Sequence, residues 1–398
     1  MAVMVTRSEM EVVEYSSLRE MALPLYLPCF ISHTVRCLTV AVLPLHVLSL
    51  GFSYDDVGFL STVAGAGIAL GNIPAGSLTT TYGPRFVLLA HCALFAGSAV
   101  LSSAASMVGA SLTFPCFAAS FLLLGSAESV GILARQTFMG STTQSSMRGR
   151  AGSTQGGVAR CAATVGPLIG GAVAEVLGPV AVYVLQASLA MLCAVTLRAL
   201  MPLTSAVQDI SASSSTQKSS PSGSLSMAGV VQQHWRLLAS AATFVGCAFF
   251  VRKARELLFS LEGHDRGLSQ AEVGGYASLS YLVDFALFPV AGMLMDRIGR
   301  TRTGAIFFVL TVLSLLTLQS SSPSAFARFA ILGGVANGLA SGLALTFGAD
   351  LAPADCRSNF LGVFRTLARS GDPAASAALG AVANAGSLQA AELMVAAF

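Results

Sequence analysis

Gly292-Met-Leu-Met-Asp296-Arg297-Ile-Gly299-Arg300-Thr-Arg302 follows directly on the apolar run that ends in Phe288-Pro289-Val290-Ala291. An apolar helix that stops at an acid, turns on a glycine and meets several arginines reads as a membrane span reaching its cytoplasmic face. The rest of the chain agrees. Of its 398 residues 54% are hydrophobic and only 10% charged, against about 25% charged in a soluble domain. This predicts an integral, multi-pass membrane protein whose first partner is the lipid bilayer. The net charge of +3 is small and dispersed, which argues against nucleic acid as a partner. Eight cysteines are scattered through the apolar runs without a Cys-x-x-Cys pair. They read as packing residues, with no metal site.

Apolar runs long enough to cross a bilayer, about 20 residues each, fall near 24–48, 57–79, 85–106, 112–135, 152–175 and 178–201, then near 237–260, 271–294, 303–322, 325–348 and 358–382. The expected plan is all-α. It has a cytoplasmic tail (1–21), an N-terminal bundle of six spans (22–201), a serine-rich linker (202–235) and a C-terminal bundle (236–398). In the last, only a truncated twelfth helix follows the eleventh span, because the apolar stretch Leu388–Phe398 is short and interrupted by Glu392. Arg85, Arg148, Arg150, the arginines from Arg297 to Arg302, and Arg357 all follow even-numbered spans. That bias places the N-terminus in the cytoplasm.

The two halves repeat. Gly51, Ser53, Val57, Gly58, Gly76, Leu78 and Gly83 recur 216 positions later as Gly267, Ser269, Val273, Gly274, Gly292, Leu294 and Gly299. Gly125, Arg148, Arg160 and Gly171 recur 209 positions later as Gly334, Arg357, Arg369 and Gly380. Two registers separated by a small length change are the trace of a duplicated six-helix unit, so the bundles should be pseudo-symmetric.

The stretch from Gly292 to Arg302 resembles the loop signature of the major facilitator superfamily, Gly-x-Leu-x-Asp-Arg-x-Gly-Arg followed by a basic residue. Gly292, Leu294, Asp296, Arg297, Gly299, Arg300 and Arg302 fill it. In the first half Gly76, Gly83 and Arg85 keep the frame, while Thr80 and Thr81 stand where an acid and an arginine belong. The resemblance implies that Asp296 latches the cytoplasmic side against the start of the fifth span, and that Thr80 makes a weaker counterpart. In the fifth span Gly166-Pro167-Leu168-Ile169-Gly170-Gly171 resembles the signature of the superfamily's exporters. There the proline kinks the helix and the glycines let a neighbour approach.

Ionisable residues deep in a span are expensive unless they face water or a partner. Arg36 maps onto Arg252, and Arg160 onto Arg369, by the two repeat registers. All four are candidates to line a substrate cavity and grip a carboxylate or phosphate. Arg36 lies about 18 Å deep at 1.5 Å per residue. Glu128, whose repeat counterpart is Asn337, and Asp284 are the candidates for proton coupling. Fixed ion pairs, such as Asp284 with Arg369 or Glu128 with Arg160, are the structural alternative. Arg252, Lys253, Arg255 and Glu256 crowd the seventh span, so at least Arg252 and one neighbour must face protein or water.

The sequence holds no phosphate-binding Walker loop and no nucleophile elbow, and no cofactor or enzymatic activity is expected. The resemblance implies a monomeric transporter of a small molecule working by alternating access, with the substrate held between the halves. The fifth-span signature points to proton-coupled export, of the drug and metabolite antiporter kind. A facilitator or symporter of an organic anion would need the same arginines. A non-transporting, receptor-like protein would explain the altered first loop and the short twelfth helix.

Overall fold

The computed structural model describes residues 15–202 and 227–397, except 145, 321, 323, 354 and 355. Most of the acidic N-terminal tail and the serine-rich stretch Ser205–Ser226 lie outside the described residues. The described chain is helical nearly throughout. A π-helical turn (Ala22–Tyr26) leads into α1 (Leu27–Ser49), followed by α2 (Tyr54–Tyr82), α3 (Pro84–Ala105), α4 (Ala110–Thr142), α5 (Arg148–Leu177) and α6 (Pro179–Leu200). Then come α7 (Met227–Asp265), α8 (Gln270–Ile298), α9 (Arg300–Leu318), α10 (Ala325–Leu339), α11 (Leu343–Leu351), α12 (Arg357–Arg369), α13 (Gly371–Ala385) and α14 (Leu388–Ala397). Among the described residues nine helices are long and apolar enough to cross a bilayer.

The repeat reappears as local geometry. Gly51 and Gly267, and likewise Gly83 and Gly299, all have φ between +66° and +88°, which side-chain-bearing residues seldom adopt. Each register partner therefore turns the chain in the same way. Ser53 and Asp56 cap α2 reciprocally: Ser53 N donates to Asp56 Oδ2 at 2.9 Å, and Asp56 N to Ser53 Oγ at 3.2 Å. Ser269 and Glu272 do the same for α8, at 2.8 and 3.2 Å. Such boxes satisfy two otherwise orphaned backbone donors.

Three boundaries differ from the sequence-based expectation. The tenth span is broken: α10 ends at Leu339 and α11 begins at Leu343, with Gly342 left-handed at φ +87° between them. The eleventh span is broken at Ser370 into α12 and α13. Apolar sequence continues through the first break, so hydropathy reads it as continuous, whereas the second falls in the polar stretch Arg369-Ser370-Gly371-Asp372-Pro373 inside the expected span. Finally, α7 starts at Met227, ten residues before the expected start, and bends at His234 (φ −118°, ψ 21°).

The chain divides into two compact units, and α1, α2 and α5 each contribute to both. Unit 1 is Met1–Cys37, Val63–Ala162 and Val180–Ser219; unit 2 is Leu38–Thr62, Ala163–Pro179 and Ser220–Phe398. In unit 1, α3 packs on α4 through hydroxyls: Ser120 Oγ lies 2.9 Å from Ser98 Oγ and 2.6 Å from Ser102 Oγ. Its core gathers Tyr26, Phe95 and Phe138. In unit 2, α10 lies against α8 because Gly334 and Gly338 have no side chain. A Cβ on Gly334 would sit 2.5 Å from Ser280 O, and one on Gly338 would sit 2.9 Å from Leu287 Cβ.

Unit 2 also brings helices together through bare backbone. A Cβ on Gly58 of α2 would lie 2.7 Å from Gly380 Cα of α13. One on Gly274 of α8 would lie 2.3 Å from Pro167 O and 3.1 Å from Gly171 Cα of α5. Gly170 meets the backbone of Leu38 in the same way. Gly58 and Gly274 are register partners, as are Gly171 and Gly380, so the two seams are copies of each other.

Candidate functional site

In unit 1, α1 brings Arg36 to Glu128 of α4. Arg36 Nε and Glu128 Oε2 are 2.8 Å apart, and the two side chains remain 25% and 22% exposed. An ion pair with a guanidinium in such a half-buried place is a charge-assisted bond that solvent still reaches. Arg135, two turns further along α4, is buried. Its Nη1 donates to Ser32 Oγ at 3.0 Å and lies 3.5 Å from His91 Nε2. His91 Nδ1 lies 2.6 Å from the carbonyl of Ala127, so Nδ1 carries the proton and Nε2 is left to accept. Pro28, Cys29 and Cys193 complete a small cavity beside this group. Arg160 is half-buried on α5 and donates to its own helix at Gly156 O, 3.2 Å.

In unit 2 the corresponding arginine, Arg252 of α7, donates from Nη2 to Ala340 O at 3.0 Å and lies 5.3 Å from the Phe307 ring centroid. Ala340 caps α10 at the break, where helix carbonyls are freed and the dipole is negative. The interrupted helix thus supplies the anion-like end that holds Arg252. Lys253 pairs with Glu256 at 2.9 Å. Arg255 is buried, and its Nη1 donates to Ser280 Oγ at 2.8 Å. Gly333 makes room for it, since a Cβ there would come within 2.5 Å of that nitrogen.

Asp284 of α8 is 4% exposed. Asn337 Nδ2 donates to its Oδ2 at 2.6 Å and Ser341 Oγ to its Oδ1 at 3.2 Å, so both carboxyl oxygens have a neutral donor. Sequence reasoning found Asn337 as the counterpart of Glu128 but missed Ser341 and Ser280. A serine in an apolar run carries no signal of its own. Arg369 is the last residue of α12, 42% exposed, 3.5 Å from Asp372 and 5.0 Å from the Phe249 ring centroid. The helix break moves it out of the uninterrupted span that the sequence suggested.

In the loop after α8, Asp296 is 76% exposed and 3.6 Å from Arg300. Arg300 Nε also binds Asp350 at 2.8 Å, which ties the loop to the end of α11. Arg297 and Arg302 are exposed. Arg85 donates to the carbonyl of Arg198, joining α3 to the end of α6. Pro167 lies inside α5, and Gly170 and Gly171 provide the close approaches described above. Among the described residues no group of His, Cys, Asp and Glu is placed to hold a metal ion.

Solved structures of similar shape include a mutant of the nucleoside transporter NupG, with a TM-score of 0.72 and 14% identity, covering 94% of this chain and 96% of that one. The xylose transporter XylE from E. coli, in an inward open conformation, aligns with a TM-score of 0.68 and 13% identity over 94% and 93% of the two chains. A D-xylose–proton symporter aligns at 0.66 and 13% over 90% and 89%. At these identities the likeness is one of fold. No curated protein matches the sequence. Residues 25–391 match the family described as Major Facilitator Superfamily. Nine apolar spans, the duplicated turns and that match across nearly the whole length agree: this chain belongs to the major facilitator superfamily, the multi-pass membrane proteins that carry out secondary transport by alternating access.

Proposed function

We propose that this transporter moves a small organic anion together with protons, and that the Arg36–Glu128 pair is where the two meet. The observation that carries the reading is the 2.8 Å ion pair between two half-buried side chains. Protonating Glu128 removes the charge that holds Arg36, and the freed guanidinium then presents its donor fork to a substrate carboxylate or phosphate. Proton and anion are taken up together and released together. Asp284, enclosed by Asn337 and Ser341, is the second proton-coupling candidate. The N-terminus lies on the cytoplasmic side, and the chain acts as a monomer on a small-molecule substrate.

The second reading is proton-coupled export. The fifth-span motif favours it, with its glycines packed against Gln270 and Gly274 of α8. In that case proton and substrate compete for the site instead of sharing it. Flux in proteoliposomes separates the two by sign. With radiolabelled organic anions outside, an alkaline interior should drive accumulation if the anion travels with the proton, and an acidic interior if it travels against it. Glu128→Gln should abolish either gradient-driven accumulation and leave substrate exchange. No flux under either gradient, across a panel of mono- and dicarboxylates and organic phosphates, would sink both readings and favour a receptor-like protein.

A further inference from the structure

Away from the Arg36 and Asp284 clusters, two carboxyl groups meet at the end of unit 2 that carries the Gly267 turn. Glu262 lies in the last turn of α7 and Glu392 in the middle of α14. They are 4% and 1% exposed. Arg266 Nε donates to Glu262 Oε2 at 2.7 Å, and its terminal nitrogens donate to the carbonyls of Leu318 and Ser320 where α9 ends. Gln319 Nε2 donates to Glu392 Oε2 at 2.5 Å. Both carboxyls thus meet at the end of α9, Glu262 through Arg266 to Leu318 and Ser320, and Glu392 through Gln319 between them.

An ionised carboxylate only accepts hydrogen bonds, and where it is buried it needs a cation or several donors to hold its charge. Charge counting agrees. Two carboxylates and one guanidinium would leave a net negative charge where almost no water reaches, and one bound proton removes it. We infer that Glu262 and Glu392 form a proton-binding site, in which one bound proton lets α14 dock where α7 and α9 end. Arg266 neutralises Glu262, whereas Glu392 has a neutral amide as its other donor. The proton therefore belongs on Glu392.

Among the described residues, the helices packed on α14 bring no second cation to this end. The helix α14 packs on α7, α9 and α13. From α7 come Glu262 and, just beyond its end, Arg266; His264 and Asp265 are exposed. At the end of α9 stands the neutral Gln319. The ionisable residue of α13, Asp372, sits beside Arg369 at the helix's other end. This proton is distinct from those of the proposed transport cycle, because neither Arg36, Glu128 nor Asp284 takes part. Its work is to make the docking of α14 depend on pH.

The sign follows from linkage. The folded protein holds a proton that a solvated glutamate gives up at neutral pH, so folding stability falls as pH rises through that range. Thermal unfolding of the purified full-length protein in detergent, from pH 5 to pH 8, tests this against Glu392→Gln, an isostere that keeps the neutral donor permanently. Wild type should lose one proton's worth of slope more than the variant, with E392Q matching it at pH 5 and exceeding it at pH 8. Glu262→Gln should instead lower the unfolding midpoint throughout, because it strips Arg266 of its carboxylate. The infrared carbonyl band of protonated carboxyls at pH 7 should shrink by one group in E392Q. Parallel pH profiles, an unchanged band, or an E392Q protein that is unstable or does not fold would each mean that Glu392 is ionised, and would overturn the site.

Discussion

Arg36 in unit 1 and Arg252 in unit 2 occupy the same place in the repeat, yet they are held by different chemistry. Arg36 has a carboxylate, Glu128, at 2.8 Å. Arg252 has a peptide carbonyl, Ala340, at 3.0 Å and the face of Phe307. In the second half the position of Glu128 is taken by Asn337, and the acid enters on a different helix as Asp284, whose first-half counterpart is Ile68. Duplication has kept the cation and moved its counter-charge. One half therefore pairs charge with charge, a contact that a proton can break. The other sets its arginine against a carbonyl and a ring face, contacts that no proton alters. Proton sensitivity should accordingly be concentrated at Glu128 and Asp284, with Arg252 as a fixed anchor.

The largest test of that contrast is Arg36→Ala. It leaves Glu128 without the partner it has here, and breaking such a pair costs about 3 kcal/mol or more where it is buried. Transport should fall about 100-fold, measured as initial uptake in proteoliposomes. Equal losses from Arg252→Ala would erase the distinction. Next comes the shared architecture. Gly58→Val and Gly274→Val each push a side chain into backbone, and overpacking of this kind costs about 1–3 kcal/mol. If the seams are equivalent copies, each should cut transport about tenfold and raise thiol labelling of a cysteine placed at Asp55 or Ala271. A strong effect from one alone would show that the repeat is geometric but not functional.

Smaller is the effect of Asp284→Asn. It keeps the shape but turns one donor–acceptor contact with Asn337 or Ser341 against itself. Gradient-driven accumulation should drop several-fold while substrate exchange stays within about twofold, since a hydrogen bond to a charged group is worth about 1.5–3 kcal/mol. If accumulation is unchanged, Asp284 is a packing acid and the proton work rests on Glu128. Smallest is Phe307→Leu. Loss of the ring face beneath Arg252 removes about 0.5–1 kcal/mol, a change of about threefold in uptake with no shift in its pH profile.

The repeat registers read from sequence recur as turns and caps. Gly51 with Gly267 and Gly83 with Gly299 are backbone requirements that leave glycine no substitute, so they are legible without a structure. The reciprocal caps at Ser53 and Ser269 are local for the same reason. The break near Gly342 was not legible, because it lies in an apolar stretch where a continuous helix fits equally well; the one at Ser370 was marked by Gly371, Asp372 and Pro373, a signal that the apolar flanks outweighed. Arg36 and Glu128 were each picked out by the cost of burying charge, but their pairing spans 92 residues and needs tertiary contact to be seen. Glu262 and Glu392 were further out of reach. One is an acid at a helix end, four residues before an arginine, and the other interrupts a short apolar run, and neither pattern points to the other.

The seam between Gly58 and Gly380, like its copy between Gly171 and Gly274, sets main chain against main chain, with one hydrogen bond beside each, from Thr62 Oγ1 to Pro373 O and from Gln270 N to Glu175 Oε2. No rotamer has to flip and no ion pair has to be resolvated before the helices part. Where glycine meets glycine, what holds them is short-ranged dispersion, of which a gap of about 0.5–1 Å already forfeits about a quarter to a half. Such a joint has little resistance to complete separation and strong resistance to being held slightly ajar. It should therefore behave as a snap fastener, closed or released, with few stable positions between.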